Sequence, residues 1–100
     1  MYKTYYITNR TPDGGYYFTE KRGQGFEGGG LSFGCARSFD GRMSTITELS
    51  TGMKVADTKK SDAAETVARL LPAIKKAIET EAAQKIAQEL KAHAAKNSII

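Results

Sequence analysis

The chain changes character near Ser61. Ahead of that residue lie all 10 glycines, all 5 tyrosines and all 4 phenylalanines, in short runs that alternate large apolar and polar side chains. Behind it runs SDAAETVARLLPAIKKAIETEAAQKIAQELKAHAAK, rich in alanine and without a glycine, phenylalanine, tyrosine or tryptophan. Residue types that suit a pleated, half-buried surface give way to types that suit a helix. The switch predicts an α+β domain: an antiparallel meander sheet of about four or five strands over residues 1–57 and a long helical segment over 58–96. Residues 97–100 read as a loose tail.

Within the first half, Tyr2 to Thr8 reads as a strand and Thr11-Pro12-Asp13-Gly14-Gly15 as a turn, since proline presets one dihedral and glycine accepts positive φ. Tyr16 to Arg22 reads as the second strand and Gly23 to Gly30 as a glycine-dense loop carrying Phe26. Leu31 to Phe39 alternates most cleanly, with Leu31, Phe33, Cys35 and Phe39 on one face. Asp40-Gly41 suits a tight two-residue hairpin turn. Arg42 to Leu49 and Met53 to Ala56 complete the predicted sheet.

In the second half, Ser61 stands where a helix cap belongs, with Asp62 and Glu65 near the positive end of the dipole. An apolar stripe follows at Val67, Leu71, Ile74, Ile78, Ala82, Ile86 and Leu90. Pro72 interrupts it, and an interior proline removes a backbone hydrogen bond, so a kink or break is expected there. Thr80, followed by Glu81, offers a cap for a second helix. One unbroken helix from Ser61 to Lys96 would run ~54 Å, against a sheet at most about 30 Å along its strands. Either the helix breaks and folds back, or its distal half meets another chain. In the second case Ile78, Ile86 and Leu90 would be the oligomerisation contacts of a homodimer.

A chain of 100 residues makes one domain with a modest core. Its N-terminus lacks the apolar stretch of a signal peptide, no run suits a membrane span, and its 1 cysteine allows no internal disulfide. These features predict a cytoplasmic protein with no membrane partner. The net charge of +4 is mild. It supports attraction to phosphates or to an acidic protein surface.

No constellation commits the chain to a chemistry. Gly23-Gln24-Gly25-Phe26-Glu27-Gly28 matches G-x-G-x-x-G, but that motif cradles a pyrophosphate only where it opens a helix, and a strand follows here. The segment is expected to be a flexible hairpin loop whose Phe26 either tucks into the core or meets a partner. Cys35 sits on the apolar face of a strand as a buried thiol. His93 lies near a helix C-terminus, where a cation is favoured. One Cys and one His do not complete a zinc site, and the carboxylates Asp13, Glu20, Glu27, Asp40 and Glu48 are scattered over turns and strands, with no spacing that pairs two of them on one helix face. No catalytic residue, metal or cofactor is expected.

The basic residues are the remaining signal. Lys59 and Lys60 precede the helix, and Arg69, Lys75 and Lys76 lie along it. Arg22, Arg37 and Arg42 come from strand ends. Thr58-Lys59-Lys60 ahead of an alanine-rich helix resembles the end of a double-stranded RNA-binding domain. The chain departs from that family, with no helix ahead of the sheet and a final helix far too long, and it is not assigned there. The favoured expectation is a non-catalytic binding protein that docks on a larger protein or ribonucleoprotein complex through Arg22, Phe26, Arg37, Arg42, Lys59, Lys60, Arg69, Lys75 and Lys76. Small, plain chains of this kind are frequent in phages and mobile elements, where some inhibit nucleic-acid-guided host defence as anti-CRISPR proteins do. That association rests on size alone. Direct nucleic-acid binding by a homodimer through the helix lysines is the alternative, and a small enzyme using Cys35 or His93 the weakest expectation.

Overall fold

The computed structural model describes residues 2–38 and 41–97. Phe39, Asp40 of the expected hairpin and the tail residues 98–100 lie outside the described residues. The order is β1 (Tyr2–Arg10), β2 (Tyr16–Gly28), β3 (Leu31–Arg37), β4 (Ser44–Glu48), β5 (Met53–Thr58), a 3-10 turn (Lys60–Asp62), α1 (Ala63–Ile78) and α2 (Glu81–Asn97). The strands form one antiparallel sheet in the order β1-β2-β3-β4-β5, each pairing with its neighbour in sequence. The α+β meander read from the sequence is therefore the observed architecture.

The largest departure lies in the glycine-rich segment. Gly23 to Gly28 is not a loop but the second half of β2, and the hairpin turn to β3 is Gly29-Gly30 alone. Both turn residues have positive φ, at 60° and 83°, which suits a primed two-residue turn matched to the twist of the strands. On both sides of the turn, the glycines make room. Tyr5, on β1, lies across Gly34 of β3 so closely that a Cβ on Gly34 would sit 2.4 Å from the ring. A Cβ on Gly23 would meet the Cys35 carbonyl at 2.6 Å. The glycine density thus serves close approach rather than looseness.

On the opposite face, Phe33 and Ile46 are 0 % exposed and join Cys35, Ala63, Val67 and Ile74 in one core between sheet and α1. Burying side chains of this kind contributes ~1.5–3 kcal/mol each. Phe26 is half-buried and stacks on Phe33 with centroids 5.4 Å apart. The β4–β5 turn is organised by Glu48, a carboxylate 2 % exposed. It accepts from the Ser50 amide at 2.8 Å, the Thr51 amide at 3.0 Å and both their hydroxyls at 2.8 and 2.7 Å. The Thr8 amide donates to the Gly52 carbonyl at 2.8 Å and its hydroxyl to the Thr51 carbonyl at 2.6 Å. Those bonds tie β1 to the β4–β5 turn and curl the sheet.

The helical half breaks and folds back. Helix α1 continues through Pro72, and the interruption falls at Glu79 and Thr80. The Thr80 hydroxyl donates to the Ala77 carbonyl at 2.9 Å, and its oxygen accepts the Ala83 amide at 3.2 Å, capping α2 as the Thr80-Glu81 signal predicted. Gln84 donates to the Ile78 carbonyl at 2.7 Å across the break. Ser61 is not the cap: it lies in the 3-10 turn, and neither that turn nor α1 has a side-chain cap. Helix α2 docks on the β1–β2 hairpin, where the His93 ring lies 4.7 Å from Tyr6 and 5.3 Å from Phe18.

The Tyr5 hydroxyl is buried without a hydrogen-bond partner, and burial pushes its pKa up to about 12. Tyr5→Phe is therefore expected to hold or raise stability at neutral pH, by up to ~1 kcal/mol in a urea titration, because no bond is lost. A folded pKa above the ordinary 10.0 favours the fold below pH 10, and that contribution is lost as pH rises toward about 12. The same titration at pH 11 should show a smaller drop for Tyr5→Phe than for the parent.

Candidate functional site

Strand β2 changes partners at Gln24, which faces Tyr2 of β1 on one side and Cys35 of β3 on the other. Before that point β2 belongs to β1, while β3 runs on to Arg37. Arg22 lies two residues before Gln24 and Arg37 two residues after Cys35, just past the end of the β2–β3 ladder. The end of β3 is aligned with the start of β4 and the end of β5, through Arg37↔Ser44 and Ser44↔Thr58. Lys59 and Lys60 follow Thr58 directly. Four separate stretches of chain thus deliver cations to one end of the sheet.

They line a cleft of about 450 Å³. Arg22, Arg37, Arg42, Lys59 and Lys60 contribute the charge, Tyr2 and Met43 stand at the wall, and Gly23, Ala36 and Gly41 keep it open. No carboxylate lines it among the described residues. The cations are exposed, and Tyr2 is 64 % exposed. Among the described residues, Arg22, Arg37, Lys59 and Lys60 have no carboxylate within ion-pair distance, in contrast to Lys54, which meets Asp57 at 2.6 Å. Gathering like charges in a concave surface raises the local potential and attracts anions.

A second cavity, of about 590 Å³, adjoins the first and shares Cys35 and Lys60 with it. It is lined further by Gln24, Phe26, Ser61, Ala63 and Ala64, so it lies between β2 and the start of α1. Its walls are mainly apolar, and the positive end of the α1 dipole stands beside it.

Five of the residues singled out in the sequence therefore converge: Arg22, Arg37, Arg42, Lys59 and Lys60. Phe26 belongs to the adjoining recess, held against the core rather than carried on a loop. Arg69, Lys75 and Lys76 are exposed on α1 and do not reach the cleft. The proposed oligomerisation residues are used within the chain: Ile86 is 3 % exposed, Ile78 packs against the core, and Leu90 reaches Gly52. Once the helix folds back, its length no longer calls for a second copy. Cys35 and His93 line different cavities, and no cluster of three or more metal-ligating side chains occurs among the described residues. Among the described residues no helix is long and apolar enough to cross a membrane. Tyr2, Gln24, Met43 and Ala64 are among the lining residues that sequence reasoning missed, because nothing in a lone Tyr, Gln, Met or Ala signals a cavity wall.

No family model, curated protein or solved structure matches the chain.

Arg22 and Arg37 bring like charge into one cleft, which costs stability. Arg37→Gln is expected to raise the urea midpoint slightly, by ~0.2–0.5 kcal/mol equivalent, since it relieves Arg22. Added salt should stabilise the parent more than the variant, by screening the same repulsion.

Proposed function

We propose that the protein is a small binding module with no chemistry of its own, and that its basic cleft holds the phosphate backbone of a nucleic-acid strand. One observation carries this: cations from β2, β3, the β3–β4 connection and the segment after β5 converge on one concavity whose described lining has no carboxylate. Placing like charges together opposes folding, so such an arrangement is expected where an anion is to be bound. A strand of regularly spaced phosphates satisfies several such cations at once and releases its own counterions in doing so. The exposed Tyr2 ring at the wall adds a surface on which a base can stack. A lone buried thiol fits a reducing cytoplasm, where such a strand would be met.

A second reading draws on the exposed Tyr2 and Met43 beside the arginines, since aromatic residues, Met and Arg are the types enriched at protein interfaces. In that case the cleft docks on the acidic surface of a larger nucleic-acid-handling protein. Under either reading the module would inhibit such a complex by occupying what the complex needs. An origin in phages or mobile elements, in the manner of an anti-CRISPR protein, is supported by size alone.

Fluorescence anisotropy with a labelled single-stranded oligonucleotide separates the two. Contact with about four or five phosphates gives a log–log salt slope near −3, so affinity should fall about 60-fold between ~50 and ~200 mM salt. The Lys59→Glu/Lys60→Glu pair should lose more than about tenfold and flatten the slope. The Lys75→Glu/Lys76→Glu pair, with the same charge change away from the cleft, should retain most of the affinity. Absence of binding at ~50 mM salt contradicts the nucleic-acid reading and leaves the acidic protein surface.

A further inference from the structure

The basic cleft and the recess beside it share two lining residues, Cys35 and Lys60, so they open into one another. Their chemistry differs sharply. The cleft carries Arg22, Arg37, Arg42 and Lys59, whereas the recess is walled by Phe26, Ala63 and Ala64 with the amide of Gln24 as a polar group. At about 450 and 590 Å³ each lies within the ~300–1,000 Å³ typical of small-ligand sites. Phe26 is fixed by its stack on Phe33, so the wall is preformed rather than assembled on binding. A mainly apolar slot edged by Gln24, Ser61 and Lys60, next to a phosphate-binding cleft, matches the two halves of a nucleotide: a flat base with polar edges, and an anion.

From this we infer that the cleft and the recess form one bipartite site, which takes a single unpaired nucleotide of a strand, its phosphate among the arginines and lysines and its base in the recess beside Phe26. This rests on the reading of the cleft as a phosphate site and goes further, because it requires the base to be unstacked and enclosed. Duplex, whose bases are held in pairs, cannot satisfy it. Lys60, common to both cavities, stands where the sugar joins base to phosphate and sets the distance between the halves. The exposed position of Ala64 at the second residue of α1 makes the recess adjustable without touching the core.

The test compares three labelled probes at fixed salt: a short single strand, an abasic strand of equal length and phosphate number, and a duplex. The single strand is expected to bind about tenfold or more tighter than the abasic strand, the contribution of one enclosed base, and tighter than the duplex. Ala64→Trp, which fills the recess, should reduce the single strand to the affinity of the abasic one, with circular dichroism verifying the fold. Equal binding of normal and abasic strands by the parent overturns the bipartite site while leaving the phosphate cleft standing. No binding of any probe overturns both. A free nucleoside 5′-monophosphate that binds as tightly as the strand shows a mononucleotide pocket and overturns the strand as its occupant.

Discussion

The rest of the structure depends on one strand serving two partners. β2 spans Tyr16–Gly28, pairs with β1 through Gln24 and with β3 from Gln24 onward. Where side chains of β1 lie over the neighbouring strands, Gly23, Gly25 and Gly34 leave them room. With Gly34 beneath its ring, Tyr5 closes the surface that a side chain there would hold open. Curling in turn brings Thr8 to the β4–β5 turn, whose shape Glu48 fixes with its hydrogen bonds. Where β2 leaves β3, the ladder ends and a gap opens, and Arg22 and Arg37 stand at its lips.

The helices follow from the same geometry. The molecule measures 33 × 28 × 26 Å, far shorter than an unbroken helical half. Thr80 resolves the mismatch by ending one helix and capping the next, so α1 covers Phe33 and Ile46 while α2 covers the β1–β2 hairpin. Both helices are therefore occupied by the sheet. The strand ends at the start of α1 are left uncovered, and it is there that Lys59 and Lys60 enter.

What the sequence made legible was whatever local periodicity encodes. The alternation of Leu31, Phe33 and Cys35 gave the central strand, and the Val67–Ile74–Ile78 spacing gave the buried face of α1. Thr80-Glu81 marked the second helix correctly, while Pro72, the louder signal, lies inside a continuous α1. The glycine segment misled because glycine looks alike whether it frees a loop or admits a neighbour, and the neighbour, Tyr5, lies far away in sequence. The individual cations of the cleft were visible, but their convergence was not. It depends on strand register, which brings residues 22, 37, 42, 59 and 60 together, and no local pattern specifies that.

The proposed function rests on arrangement rather than on reactive groups. A fold that spends so little of its sequence on polar constellations still concentrates positive charge at one end, beside an apolar recess and an exposed tyrosine. Amide chemical shifts of the isotopically labelled protein, followed while a short single-stranded oligonucleotide is titrated at low salt, test this most directly. The account predicts that the largest changes fall at Tyr2, Arg22 to Gln24, Cys35 to Arg37, Gly41 to Ser44 and Lys59 to Ala64. Changes centred instead on Arg69, Lys75 and Lys76, or no saturable change at all, would contradict it.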